Sequence, residues 1–144
     1  MGSEPLIRSS TPADLPVVVD VFHRASLTNE GDREWILAHP EESVVDEGSV
    51  LEGKTRVAVV DGRVVGFATL VGSELEDLFV DPDWMRRGIA TALLQDAVAN
   101  GGVERIEVTA NGHALAFYES AGFVHDGLAE TPGGAAFRMH LDCG

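Results

Sequence analysis

Arg86-Arg87-Gly88 followed by Ile89-Ala90-Thr91 places two arginines and a residue without Cβ at the head of an apolar-periodic segment, which is a way to hold an anion. Upstream, Leu75, Leu78, Phe79 and Val80 form an apolar strand that Pro82 cannot continue, because it has no N–H to donate. Downstream, Ile89, Ala90, Leu93, Leu94, Ala97 and Val98 recur at helical spacing until Gly101-Gly102. The first-turn amides of such a helix have no internal partner and point outward with the positive end of the helix dipole behind them. Gly88 removes the Cβ that would keep a phosphate away, so a pyrophosphate fits here. The plainer alternative is that Gly88 only relaxes a tight strand-to-helix turn and the arginines are solvated.

Val80-x-Pro82, Arg87-Gly88-Ile89-Ala90 and Ala92-Leu93-Leu94 together resemble the acetyl-CoA-binding motif of the GCN5-related N-acetyltransferase (GNAT) family, Q/R-x-x-G-x-G/A. The segment Asn111-Gly112-His113-Ala114-Leu115-Ala116-Phe117-Tyr118-Glu119-Ser120-Ala121-Gly122-Phe123 resembles the family's later motif, in which an Asn precedes a short helix ending in Phe-Tyr and then Gly-Phe. The resemblance covers nearly the whole chain. It departs at Met85, which occupies the Gln/Arg position, and at Arg86, where a Gly is common. A grip made mainly by backbone amides survives both changes.

What the resemblance implies is specific. Met85, Arg86, Arg87, Gly88, Ile89, Ala90 and Thr91 would surround the pyrophosphate of acetyl-CoA, and the backbone of Leu78, Phe79 and Val80 would pair with the pantetheine arm. Asn111 would touch the cofactor, although it can equally serve as the N-cap of the following helix. Tyr118, the single tyrosine, falls where the family places its general acid, beside the cofactor sulfur; its plainer role is a core aromatic beside Phe117. A phenol with pKa ~10 opposes transfer to a thiolate of pKa ~8.5 by roughly 2 kcal/mol, so the site must assist. For the base, Glu74 and Glu76 stand at i and i+2 and should share one face of their strand, with Asp77 on the other. Either is a candidate, and a solvated strand face is the alternative for both. A backbone N–H near Val80 would polarise the carbonyl.

The function implied is transfer of an acetyl group from acetyl-CoA to a primary amine of a small molecule or peptide, by direct attack without a covalent enzyme intermediate. The competing class is a non-catalytic acyl-CoA-binding sensor or regulatory module.

These residues need elements to carry them. Leu6-Ile7-Arg8 reads as a strand. Thr11, Pro12 and Asp14 form a helix start of the capping-box type, ahead of an apolar stripe of Leu15, Val18, Val19, Phe22 and Ala25. The β-branched run Val17–Val19 favours a strand on propensity, but the cap and the periodicity decide for a helix. Asp32 to His39 predicts a short helix ended by Pro40, and Glu41 to Gly53 an acidic loop or weak helix. Three antiparallel strands follow: Thr55–Val60, Arg63–Val71 across an Asp61-Gly62 hairpin, and Glu74–Val80 after Gly72-Ser73. Beyond the long helix, Val103–Val108 predicts a strand parallel to Glu74–Val80, since a helix crosses between them. Asn111 to Ala121 predicts a helix stopped by Gly122. Phe123–His125 and Ala136–Leu141 complete the sheet around a Pro132-Gly133-Gly134 turn. The reading is one α+β domain over 1–144. It has a mixed, mostly antiparallel sheet of roughly six to seven strands flanked by about four helices, and the resemblance adds a central parallel pair that splays apart.

Composition narrows the partners. A net charge of −14 with ten Lys plus Arg spread along the chain offers no basic stripe for nucleic acid, while acidity attracts cationic partners such as amines. Glu30, Asp32, Glu34, Glu41, Glu42, Asp46 and Glu47 crowd one region that would meet the acceptor. The five histidines have no ligand spacing, so no metal is expected. No run reaches the ~20 apolar residues of a membrane span, and Met1–Ser10 lacks the apolar core of a signal peptide. A lone Cys143 excludes an internal disulfide and suits a reducing, cytoplasmic setting. A monomer or a homodimer is expected.

Overall fold

A computed structural model describes residues 5–27, 47–85, 87–110, 114–131 and 134–143. The elements, in chain order, are β1 (Leu6–Ser9), α1 (Leu15–Leu27), α2 (Glu47–Leu51), β2 (Thr55–Val60), β3 (Arg63–Val71), β4 (Glu74–Val80), α3 (Ile89–Asn100), β5 (Arg105–Ala110), α4 (Leu115–Ser120), β6 (Val124–Thr131) and β7 (Gly134–Asp142). Short 3-10 turns at Pro12–Asp14 and Pro82–Trp84 lead into α1 and toward α3.

The strands form one seven-stranded sheet in the order β1-β2-β3-β4-β5-β7-β6, antiparallel except for β4 and β5. Mixed topology and a parallel central pair are as the sequence predicts. The hairpin between β2 and β3 turns on Asp61 (φ 52°) and Gly62 (φ 79°), the left-handed pair that a two-residue loop demands.

The two faces of the sheet bury separate cores. On one, Val18, Val21 and Phe22 of α1 and Val50 of α2 pack on Val57, Val64 and Phe67. The predicted stripe omits Val21, which is nonetheless 1% exposed. On the other, Ile89, Leu93, Leu94 and Ala97 of α3 and Tyr118 of α4 pack on Ala58, Val65, Ala68, Leu75, Val80, Ile106 and Val108. Burying each such aliphatic side chain contributes about 1.5–3 kcal/mol, which is why packing outweighs the β propensity of Val17–Val19.

The entry to α1 is built as its residue types require. Asp14 accepts hydrogen bonds from the Thr11 backbone N–H (2.8 Å) and Oγ1 (3.1 Å), and Arg8 binds the same carboxylate at 2.7 Å. That guanidinium is the largest cause of a carboxyl pKa lowered to about 2.

Several boundaries differ from expectation. β5 begins at Arg105 rather than Val103 and runs on to Ala110, pairing with β7 along Arg105–Ala110, where the alternating Val103–Val108 pattern gives no sign of the last rungs. β6 and β7 are longer than predicted, because each completes the other's ladder. α4 begins at Leu115 with Ala114 at its N-cap. The helix predicted over Asp32 to His39, the segment 41–46 and the turn residues Pro132 and Gly133 lie outside the described residues. Within the acidic stretch, Glu47–Leu51 is helical.

Candidate active site

Where β4 ends, the chain makes a braced turn and enters α3. The Asp81 N–H donates to the Val65 carbonyl (2.8 Å), which keeps β4 and β3 joined to the last residue. The Asp81 side chain accepts from the Asp83 N–H (2.9 Å), its carbonyl accepts from the Trp84 N–H (2.8 Å), and Pro82 occupies the first turn position, where no N–H is needed. Met85 is extended and exposed, and the Arg87 guanidinium lies 4.8 Å from the Trp84 ring centroid. Arg86 lies outside the described residues.

Gly88 is the N-cap of α3 with φ 79°, a left-handed conformation for which glycine is the ordinary residue, and it offers no capping side chain. The first helical hydrogen bond joins the Ala92 N–H to the Gly88 carbonyl (2.9 Å). Among the described residues, the amides of Ile89, Ala90 and Thr91 have no hydrogen-bond partner, and nothing lies within 4 Å of where a Gly88 Cβ would stand. The first turn of a twelve-residue helix thus keeps its amides free of partners among the described residues.

Beside this turn the parallel pair opens. β4 and β5 are in register only at Glu74↔Glu107, with the Glu107 N–H bonded to the Ser73 carbonyl at 2.7 Å. Toward their carboxyl ends the two strands share no further rungs among the described residues. Strand alternation then decides which backbone groups face the gap. The Asp81–Val65 bond and the Phe79↔Phe67 pairing direct the N–H and C=O of Phe79 to β3, so those of Leu78 and Val80 point toward β5. The tight approach of the Phe79 carbonyl to Gly66, 3.0 Å from an ideal Cβ there, agrees. The Phe79 side chain meets Phe22 edge-on at 5.0 Å, on the α1 face.

A β-bulge changes the carboxylates. Thr69 pairs with Asp77 and Leu70 with Leu75, so Glu76 is the extra residue of β4 and is exposed. Alternation resets across it. Glu74 and Asp77 come to share the α1 face with Phe79, while Leu75, Leu78 and Val80 share the α3 face, which corrects the expectation that Asp77 faces away from Glu74. Both Glu74 oxygens accept from Arg138 Nη1, at 3.0 and 2.9 Å, and the same nitrogen donates to Thr109 Oγ1 at 2.7 Å. No feature of the sequence marks Arg138 as the partner.

Tyr118 sits in the α3-side core with Val80, Ile89, Val108 and Ala110. Its ring meets Phe117 at 5.3 Å and Phe123 at 5.1 Å, both edge-on. It is 6% exposed, and among the described residues its hydroxyl has no hydrogen-bond partner. Burial pushes its pKa up from the usual phenol value, which keeps the proton in place. Asn111 lies outside the described residues.

Two further features escaped sequence reasoning. Gly66 lets α3 approach the sheet: a Cβ there would lie 3.1 Å from Ile89 Cγ2 and 3.3 Å from Leu93 Cδ1. An isolated glycine inside a strand is the signal that could have found it. A cleft of about 440 Å³ runs between α3 and α4, lined by Thr91, Gln95 and Val98 on one side and Phe117 and Ser120 on the other, starting at the open first turn. Among the described residues, no group of three or more His, Cys, Asp or Glu could hold a metal, and no helix is long and apolar enough to cross a membrane.

A family model for the acetyltransferase (GNAT) domain matches residues 24–141. The uncharacterized N-acetyltransferase YafP of Escherichia coli (strain K12) is 27% identical over 121 residues, covering 81% of this chain and 79% of that protein. Among solved structures, a GCN5-related N-acetyltransferase from Rhodopseudomonas palustris superposes with a TM-score of 0.77 at 25% identity over 99% of this chain and 98% of that one. The PaiA N-acetyltransferase of Thermoplasma acidophilum, in complex with coenzyme A, superposes with a TM-score of 0.71 over 99% of both chains. At 20% identity it shares the fold.

Proposed function

This chain belongs to the GNAT acetyltransferase family, and from that we propose that it is an N-acetyltransferase which moves an acetyl group from acetyl-CoA to a primary amine of a small molecule or peptide, in the cytoplasm. The observation that carries the reading is the open first turn of α3 behind left-handed Gly88, beside strands that part after Glu74↔Glu107. Three unpaired amides at a helix N-terminus fit a diphosphate, and the outward N–H and C=O groups of Leu78 and Val80 fit an amide-bearing arm laid along β4.

Bound acetyl-CoA supplies the activated thioester. The chain's own residues do the rest. An N–H of Leu78 or Val80 donates to the thioester oxygen, where negative charge grows as the amine attacks. Tyr118 holds a proton for the departing sulfur. Burial raises the phenol pKa, but the same apolar surroundings disfavour a thiolate, so the difference between the two pKa values decides the transfer. Glu74, held by Arg138, keeps acceptor capacity for the amine proton, directly or through a water. Glu76, exposed on the bulge, remains the second candidate.

One observation favours a non-catalytic acyl-CoA-binding module instead: the strongest base candidate is already engaged by an arginine. Turnover separates the two. Purified protein given acetyl-CoA and a panel of primary amines, polyamines and peptides should release free CoA with some member. Coenzyme A binding without release on any of them would favour the module.

A further inference from the structure

The turn that presents Gly88 is held from behind by charges on the opposite face of the sheet. Asp81 is 1% exposed, and its carboxylate receives Arg24 Nη1 at 2.6 Å and lies 3.7 Å from Arg63 Nη2. The other arm of Arg24, Nη2, binds the exposed Asp83 at 2.8 Å. Arg24 belongs to α1, on the face opposite α3, so its fork reaches around the end of β4 to grip both aspartates of the loop. Each side chain has a visible local job, but their signs matter more. Two carboxylates in a loop that receives an anion oppose it, and the buried one is little screened by salt. A single guanidinium touching both offsets that field and fixes the turn at once.

We propose that Arg24 is a positioning residue for the cofactor loop: by forking onto Asp81 and Asp83 from the far face of the sheet, it sets the turn that offers the α3 amides and offsets part of the negative field those aspartates impose on a bound diphosphate. The inference rests on the reading that this loop takes the diphosphate of coenzyme A. A lysine cannot reproduce it fully, since a point charge neutralises but does not fork.

The test is a calorimetric titration of the full chain with coenzyme A, using Arg24→Gln, Arg24→Lys and Arg24→Gln/Asp83→Asn. Arg56→Gln serves as the control; it breaks the 2.9 Å pairing of β2 with the largely buried Asp96, two turns along α3 from Gly88. Arg24→Gln should weaken coenzyme A binding about 3- to 30-fold, more at low salt than at high. Arg24→Lys should fall between. Removing the Asp83 charge in the double variant should recover part of the loss, which a merely structural role would not produce. Arg56→Gln should stay within about twofold of wild type even where its melting point drops as far. Wild-type affinity in Arg24→Gln, no recovery in the double variant, or an equal loss in Arg56→Gln would overturn the proposal. Absence of binding by the wild type is a different failure, since it removes the reading of the loop itself.

Discussion

Gly88 and Gly62 offer a matched pair that separates backbone strain from ligand binding. Both have φ 79°, and in both the space for a Cβ is clear of any atom within 4 Å. Placing alanine in that left-handed conformation costs about 1–2 kcal/mol at either site, with no clash to add. For a chain of this length that lowers the melting temperature by roughly 3–8 °C. Gly88→Ala and Gly62→Ala should therefore destabilise alike. They should part on coenzyme A: if the amides after Gly88 donate to the diphosphate, disturbing one charge-assisted backbone bond costs about 1.5–3 kcal/mol, or about 10- to 100-fold in dissociation constant. Gly62→Ala, in the β2–β3 hairpin, should bind as wild type does. Thermal melts and calorimetric titrations on the three proteins read both quantities. Equal melting losses with unchanged affinity in Gly88→Ala would refute the placement of the anion, and unequal losses would refute the strain argument.

Other outcomes follow from the same geometry. Tyr118→Phe should lower kcat about 10- to 10⁴-fold at near-normal coenzyme A affinity, measured by CoA release; unchanged turnover would make the phenol a packing residue. Gly66→Ala would press a methyl against the Phe79 carbonyl and Ile89, displacing α3, and should destabilise by about 1–3 kcal/mol and weaken coenzyme A binding together. Asp14 has a folded pKa of about 2 against an ordinary 3.8. Its contribution is therefore complete above pH ~4 and disappears as pH falls toward 2. The shift corresponds to about 2.5 kcal/mol, discounted to about 1–1.5 because the Arg8 side chain is 39% exposed. Urea unfolding should show Asp14→Asn weaker than wild type by that amount at pH 7 and equal to it near pH 2; a constant gap would contradict the assignment.

What the sequence revealed, and what it hid, divides along physical lines. The hairpin at Asp61-Gly62, the capping box at Thr11–Asp14 and the strand stop at Pro82 are local, because a single residue's backbone limits decide them. The open turn at Gly88 is legible for the same reason. The partners that hold it are not: Arg24 is 57 residues from Asp81, and Arg138 is 64 from Glu74, contacts set only once the sheet order exists. The bulge at Glu76 was equally invisible, since nothing in Glu74-Leu75-Glu76-Asp77 breaks the pattern; the register with Thr69 and Leu70 creates it, and with it the exchange of faces among the carboxylates. Likewise, period-2 reading could not tell that Phe79 turns its backbone to β3 while Leu78 and Val80 face the gap, because alternation becomes absolute only once one rung is known.

At 15.3 kDa the chain is small enough for every backbone amide to be followed by NMR as coenzyme A is added. The amides of Ile89, Ala90 and Thr91 should move most and those of Leu78 and Val80 with them, while the Phe79 amide, bonded into β3, keeps its slow hydrogen exchange throughout. Shifts clustered elsewhere, with the first turn of α3 unmoved at saturation, would contradict the reading of this turn as the diphosphate site.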